Sequence, residues 1–320
     1  MATKRFLSGI QPSGELHLGN YFGAIRQHIA NQDDAFYFIA NYHAMTSTRD
    51  AERLRAFTFD VAATYLALGL DPNRATLWRQ SDVPEVCELT WLLMTVTGMG
   101  LLERAHSYKD KVANGIVPSA ALFNYPVLMA ADILAYEADV VPVGKDQVQH
   151  LEMTRDMAQS FNATYGEVFK LPVFQLGTPE PVPGIDGRKM SKSYDNTIPI
   201  MAKGKALKKL VMSIKTDSTP LEDPKDPDTC SVFAFYALFA DAEQQAAMRA
   251  NYEGGNYGYG HAKLALIEAI DATFGEARER RAYYDAHPDE VEDILRAGAD
   301  KARKVARGVL DRARAACGLV

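Results

Sequence analysis

Short apolar runs alternate with helix-spaced hydrophobic positions through the first part of the chain, and the runs stop after about residue 190. Arg5 to Ile10, Ala35 to Ala40, Ala75 to Trp78 and Asp139 to Val143 read as short strands, the last running into Gly144. Between them Leu18, Tyr21, Phe22, Ile25 and Ile29 fall at helical spacing. So do Leu54, Phe57, Val61, Tyr65 and Leu68, a run that Gly69 and Pro72 bring to an end. Glu85 to Val96 and Gln147 to Phe161 are further predicted helices. Strands separated by helices predict an α/β fold with a doubly wound parallel sheet, whose ligands sit beyond the carboxyl ends of the strands.

The second half reads as helices only: Ala202 to Ile214, Val232 to Phe239, Ala242 to Asn251, Ala262 to Phe274 and Asp289 to Cys317. Pro288 suits the first position of the last helix, and Asp289, Glu290, Glu292 and Asp293 suit its positive N-terminus. Val291, Ile294, Leu295, Ala302, Val305, Val309 and Leu310 line one of its faces. The expected organisation is a Rossmann-like domain over 1–200, with a helical insertion at about 80–135, followed by an all-helical domain over 201–320.

Two stretches carry candidate chemistry. In Ser8-Gly9-Ile10-Gln11-Pro12-Ser13-Gly14-Glu15-Leu16-His17-Leu18-Gly19-Asn20 a strand ends, a Gly/Pro/Ser turn follows and a helix opens at about Leu18. Helix N-termini offer free N–H groups and partial positive charge to a phosphate. Gly19 leaves room for a base or ribose against the backbone, and His17 can donate to a phosphate oxygen. An ordinary strand–turn–helix connection has the same local pattern. The second stretch, Gly187-Arg188-Lys189-Met190-Ser191-Lys192-Ser193, lies in a Pro/Gly-rich loop, where two lysines and two hydroxyls could follow a departing pyrophosphate. A solvated basic loop is the plain alternative. It is not a Walker A loop, because no Gly-Lys-Ser/Thr opens a helix there.

Together these stretches resemble the paired signatures of class I aminoacyl-tRNA synthetases. His17-Leu18-Gly19-Asn20 resembles the first, with Asn20 in place of its final His, and Lys189 to Ser193 is identical to the second, KMSKS. Tyr125 to Leu134, Val141 to Gln147 and His150 to Asp156 are similar to the tryptophanyl-tRNA synthetase family, as is Ser8 to Gly14. The resemblance covers nearly the whole chain.

It implies activation of L-tryptophan by ATP to tryptophanyl-adenylate and pyrophosphate, then transfer to the 3′-terminal ribose of tRNA(Trp). His17, Lys189, Lys192 and either Lys109 or Lys111 are implied to stabilise phosphate charge, Lys111 being the one carried forward as catalytic. Gln11, Pro12, Ser13, Gly19, Asn20, Gly144, Lys145, Asp146 and Val182 are implied to hold ATP with Lys189, Met190, Ser191, Lys192 and Ser193, Gly144 and Asp146 facing the ribose. For tryptophan the implied residues are Asp132, Tyr125, Met129, Gln147, Val143 and His43. Met129, Asp132, Ile133 and Tyr136 share a helix face. An unpaired carboxylate in such a face is costly, and an indole N–H would partner it; a structural Asp capping a backbone turn is the other reading. Mg²⁺ is implied with ATP, held by few protein ligands. Homodimerisation and an anticodon-binding role for 201–320 are also implied.

Charge and cysteines refine this. The 35 Lys plus Arg and 41 Asp plus Glu give a net charge of −6, which at first argues against a polyanion partner. Yet Arg296, Arg303, Arg307 and Arg314 form a stripe on one helix, and Lys203, Lys205, Lys208, Lys209 and Lys215 have no acid between them, so the local field can still attract phosphates. Cys87, Cys230 and Cys317 have no zinc or disulfide spacing, and no iron–sulfur cluster, disulfide or zinc is expected. Leu7 stands where some relatives carry an aromatic residue. The start has no signal-peptide pattern and no apolar run is long enough to span a membrane, so a cytoplasmic protein without a membrane partner is expected. Two other classes fit parts of the pattern. A small-molecule nucleotidyltransferase would need neither the helical half nor KMSKS, and a regulatory protein would not need every reactive residue.

Overall fold

The computed structural model describes residues 4–105, 108–109, 119–144, 147–176 and 182–320; Lys111, Lys145 and Asp146 lie outside them. Strands β1 (Leu7–Ile10), β2 (Phe36–Ile39) and β3 (Thr76–Arg79) pair in parallel in that order, with Leu7 opposite Phe36 and Phe36 opposite Thr76. Strand β4 (Val140–Val143) pairs in parallel with β5 (Val173–Leu176). A parallel bridge from Phe6 to Val140 sets β4 beside β1, so the spatial order is β3-β2-β1-β4-β5. The order reverses between β1 and β4, and ligand clefts of doubly wound sheets open at that point. β5 was not among the expected strands: its four residues follow Pro172 and alternate too briefly to carry a pattern.

The helices follow the apolar spacing. α1 spans 18–30, with Leu18–Asn20 and Arg26–Ala30 α-helical and Tyr21–Ile25 wound one residue wider as a π-turn. α2 (Asn41–Ala44) and α3 (Ala51–Ala67, capped by the Asp50 carboxylate on the Arg53 N–H) follow β2. A 3₁₀ turn, Gln80–Asp82, leaves β3 for α4 (Glu85–Met94), α5 (Met99–Glu103) and α6 (Ala120–Leu134), and α7 (Val148–Tyr165) follows β4. After residue 200 come α8 (Gly204–Met212), α9 (Ser231–Ala237), α10 (Ala242–Gly254), α11 (Tyr259–Ala286) and α12 (Pro288–Ala316). α11 is longer than its apolar spacing predicts because Arg280 and Arg281 anchor its polar end on α3, through Ala67 O, Asp60 and Thr64.

Two apolar cores hold the molecule, and both draw on either side of residue 200. Leu7, Phe36, Trp78 and Val127 pack with Ala302, Ala306, Val309 and Leu310 of α12. Leu18, Phe22, Tyr37 and Leu77 pack with Leu207, Phe235, Leu266 and Phe274. Each fully buried Leu or Phe contributes about 1.5–3 kcal/mol. α12 lies directly on β3: a Cβ at Gly298 would stand 1.9 Å from the Leu77 carbonyl oxygen, so only glycine permits the approach.

That docking also uses up much of the basic stripe expected to attract phosphates. Arg303 pairs with Glu85 and Arg314 with Glu88 of α4, Arg296 with Glu292, and Arg307 with Asp311. The stripe faces acids of the neighbouring helix as well as its own, which sequence spacing could not show. Among the described residues, no helix is long and apolar enough to cross a membrane.

Candidate active site

Both signature stretches meet at the carboxyl end of β1. Gly14 takes a φ of +122°, a conformation that side chains disfavour, and turns the chain towards α1. The His17 N–H donates to Asn20 Oδ1 at 3.0 Å, so Asn20 closes the first turn of α1. The chain beyond the lysine loop is stitched to this turn: Leu18 N donates to Ile198 O and Ile200 N to Leu16 O, each at 3.0 Å. The lysine loop itself lies across it. Lys192 Nζ donates to Gly14 O at 2.8 Å, and Gly19 N approaches the Met190 sulfur at 3.3 Å.

A cleft of about 730 Å³ opens between the two stretches. Ser13, His17, Gly19, Asn20, Val182, Lys189, Met190, Ser191, Lys192 and Ser193 line it, so the cleft brings these ten candidate residues together. Pro12 is buried in the turn, and Gln11 lines the neighbouring cavity instead. The Val182 carbonyl is taken by the Met190 N–H at 2.9 Å. Lys109 is exposed.

The electrostatics follow from burial. Burial, and then the charge of Lys192, lowers His17 to about 4, so its imidazole is neutral at pH 7. Its Nδ1 is buried without a partner among the described residues. Burial likewise depresses Lys192, opposed by the carboxylates of Asp60 and Glu15. A desolvated ammonium of this kind binds a phosphate more strongly than one in water.

The loop is held in shape by Asn196, a residue the motif reading passed over. Its Oδ1 accepts from Ser191 N at 2.8 Å, and its Nδ2 donates to Asp186 Oδ1 at 2.7 Å and to Lys189 O at 3.2 Å. Asp186 is held at about 2, chiefly by that Asn196 hydrogen bond, with Arg188 adding to it. A Cβ at Gly184 would sit 2.2 Å from Asn196 Nδ2.

Where the strand order reverses lies a second cavity, of about 410 Å³. Leu7, Gly9, Tyr125, Met129, Ile133, Val143, Gly144 and Gln147 form its walls, with His43 and Asp132 among them. A Cβ at Gly9 would meet the Phe38 ring at 2.5 Å, so this wall needs glycine. Asp132 is 1% exposed. Its Oδ2 accepts from His43 Nε2 at 2.9 Å and from Gln80 Nε2 at 2.7 Å. Its Oδ1 is buried with no hydrogen-bond partner among the described residues. Burial raises the Asp132 carboxyl above the usual range, while His43 and Gln80 pull it back. The Tyr125 hydroxyl meets His150 Nε2 at 3.0 Å. Gln80 was not foreseen, since nothing marks one glutamine in Arg79-Gln80-Ser81-Asp82 as facing a carboxylate from residue 132.

The site is thus a lysine-lined cleft beside a cavity of mixed lining in which Asp132 holds a buried carboxylate oxygen without a partner among the described residues. The family described as tRNA synthetases class I (W and Y) matches residues 2–275. The tryptophan–tRNA ligase of Fusobacterium nucleatum is 55% identical, covering 99% of this chain and 98% of its own length. That of Rhodopirellula baltica is 54% identical, covering 98% and 99%. The crystal structure of tryptophanyl-tRNA synthetase from Campylobacter jejuni complexed with ADP and tryptophan superposes with a TM-score of 0.94 at 51% identity, over 98% of this chain and 99% of that one.

Proposed function

This chain belongs to the class I tRNA synthetases that act with tryptophan and tyrosine, and on that footing we propose that it joins L-tryptophan to tRNA(Trp) at the expense of ATP. The observation that carries the choice of amino acid is the bare Oδ1 of Asp132, a buried carboxylate among the lining residues of the second cavity. An indole N–H satisfies it, and a ring without a donor leaves a buried acceptor unpaired. Sites built round such a bond reject donorless analogues by roughly 10⁴–10⁵. Met129, Val143 and Leu7 wall the ring, His43 braces Asp132, and Tyr125 and Gln147 take the polar end of the amino acid.

In the first step a carboxylate oxygen of tryptophan attacks the α-phosphorus of ATP. The bond between the α-phosphorus and the α,β-bridging oxygen breaks, and pyrophosphate leaves with its electron pair. No side chain becomes covalently attached, so catalysis rests on alignment and on charge stabilisation. Lys192 and Lys189 follow the departing pyrophosphate, and neutral His17 hydrogen-bonds a phosphate oxygen at the start of α1. Ser13, Gly19 and Asn20 seat the nucleotide with Met190, Ser191 and Ser193; Gln11 and Pro12 shape the turn between the two pockets. Gly144 ends β4 beside the ribose position, and Val182 lies at the base. For Lys111, Lys145 and Asp146 the reading rests on sequence resemblance. ATP would enter as its Mg²⁺ complex, in which the ion would offset phosphate charge; the described lining of the cleft offers it Ser13, Asn20, Ser191 and Ser193 oxygens but no carboxylate. In the second step a hydroxyl of the tRNA's 3′-terminal ribose attacks the acyl carbon and AMP departs.

For the tRNA, the exposed lysines 203, 205, 208 and 209 on and before α8 are the better phosphate contacts, because the α12 stripe is occupied by ion pairs. The helical part over 201–320 approaches the anticodon. For a homodimer, Trp91 on α4 and Met99 on α5, 66% and 62% exposed, are the apolar side chains we offer to a second copy. Charging of tRNA(Trp) transcript with labelled tryptophan, resolved on acidic gels, tests the overall reaction; charging with tyrosine in its place would overturn it.

A further inference from the structure

We infer that Gln80 is the positioning residue that keeps Asp132 a pure acceptor, and so sets the selectivity of the cavity for a ring N–H. The inference rests on the role given to Asp132 above and extends it to a residue outside the cavity wall. Gln80 is fully buried. The orientation of its amide is not a free choice. Oε1 accepts from Tyr42 N at 3.0 Å, which leaves Nε2 facing Asp132 Oδ2 at 2.7 Å. Turned over, the amide would set its oxygen against a carboxylate oxygen and its NH₂ against the Tyr42 N–H, losing both bonds.

The turn that carries Gln80 is fixed independently of Asp132. Asn41 Nδ2 donates to Ser81 Oγ at 2.7 Å, and Ser81 N returns a bond to Asn41 Oδ1 at 3.0 Å. Arg79 is tied to Asp82 and to Glu292 of α12. A rigid donor therefore meets Oδ2 from one side and His43 from the other, and both lone pairs of that oxygen are engaged. Only Oδ1 is left for the ligand. Among the described residues, the titratable groups around Asp132 are His43 from α2, Cys87 from α4 and Tyr136 from the turn after α6, and burial alone would favour the protonated acid. A protonated Asp132 could offer its own O–H to a donorless ring, so losing the Gln80 donor should erode discrimination as well as affinity.

The test is ATP–pyrophosphate exchange by the full-length protein between pH 5.5 and 8.5. The substrates are L-tryptophan and its benzothiophene analogue, in which sulfur replaces the ring N–H; the variants are Gln80→Met, Gln80→Glu and Asp132→Asn. Gln80→Met should lower kcat/KM for tryptophan roughly 10- to 100-fold, as expected for loss of a bond to a charged group. The analogue should lose much less, the ATP KM should hold, and the acid limb of the tryptophan profile should move to higher pH. Gln80→Glu should act best at low pH, where its carboxyl is protonated and can still donate, and fail progressively as it ionises. That pH signature also decides the matter if Gln80→Met does not fold, because Gln80→Glu keeps the shape of the side chain. Equal losses for both substrates with unmoved pH limbs would make Gln80 a packing residue and overturn the inference. If Asp132→Asn changes the tryptophan-to-analogue ratio while the Gln80 variants do not, the inference fails and the Asp132 reading stands. If Asp132→Asn leaves the ratio at the wild-type value, the Asp132 reading itself is wrong and the inference falls with it.

Discussion

Lys192 reaches across the cleft between the two signature stretches and donates from Nζ to the carbonyl oxygen of Gly14, 2.8 Å away. The carbonyl is available because Gly14 holds a φ of +122°. The bond joins the two signature stretches, which lie 178 residues apart in the chain, and keeps a desolvated ammonium at the cleft. An arriving phosphate must draw the lysine from this carbonyl, a neutral acceptor that a charged one outcompetes. Lys192→Ala should therefore lower kcat in ATP–pyrophosphate exchange by roughly 10²–10³, the usual loss for one preorganised donor to a developing charge. Lys192→Arg should recover little, because the planar fork cannot follow a moving phosphate as a flexible ammonium can. A loss confined to the ATP KM would contradict this role.

Asn196 makes three hydrogen bonds within the lysine loop and is almost fully buried. Asn196→Ala would strand buried donors and acceptors at about 1–3 kcal/mol each. The loop should loosen: limited proteolysis between residues 184 and 196 should accelerate and kcat should fall, while the tryptophan KM changes little. Gly184→Ala should do the same by steric means, since its Cβ would collide with the Asn196 amide.

Acid sensitivity should come in part from His28. Burial holds it at about 4, with Nδ1 3.0 Å from the Tyr65 hydroxyl. In the unfolded chain it titrates near 6.5, so between those values the unfolded state binds the extra proton and stability falls as pH falls. The slope is at most about 1.4 kcal/mol per pH unit for one group. His17, also held at about 4, acts in the same direction. The raised Asp132 acts in the opposite one, so the useful quantity is a difference between proteins. In urea unfolding, the stability of wild type relative to His28→Gln should shrink as pH drops from 7.5 to 5. A difference that stays constant would mean that His28 is not the source.

Arg303 should matter to stability rather than to tRNA. It is the ion-pair partner of Glu85, whose side chain is 6% exposed and whose Oε2 already lacks a partner among the described residues. Arg303→Ala should destabilise the protein by about 1–3 kcal/mol by leaving that carboxylate uncompensated. The tRNA KM should stay put, whereas replacing Lys205 and Lys208 together should raise it and flatten its salt dependence. The reverse pattern would return the tRNA contact to α12.

Much of this was legible in the chain. Four of the five described strands follow from apolar spacing and the signature stretches from motif, because each is local in sequence; the residues that line the second cavity came from the family resemblance. What escaped is long-range pairing. β5 becomes a strand only by hydrogen bonding to β4. Gln80 gains its role from Asp132, 52 residues away, and the arginines of α12 lose theirs to Glu85 and Glu88. Asn196 lies only three residues beyond Ser193, but its function is to brace a loop, and no motif marks a brace.

On the reading proposed above, a bare carboxylate oxygen on Asp132 selects tryptophan for activation. The most direct test is ATP–pyrophosphate exchange with each of the twenty amino acids, on wild type and on Asp132→Ala. Exchange should occur with tryptophan alone, and Asp132→Ala should raise the tryptophan KM at least tenfold more than the ATP KM, a differential of about 1.4 kcal/mol. Exchange driven by tyrosine, or an Asp132→Ala enzyme that keeps the wild-type tryptophan KM, would contradict it.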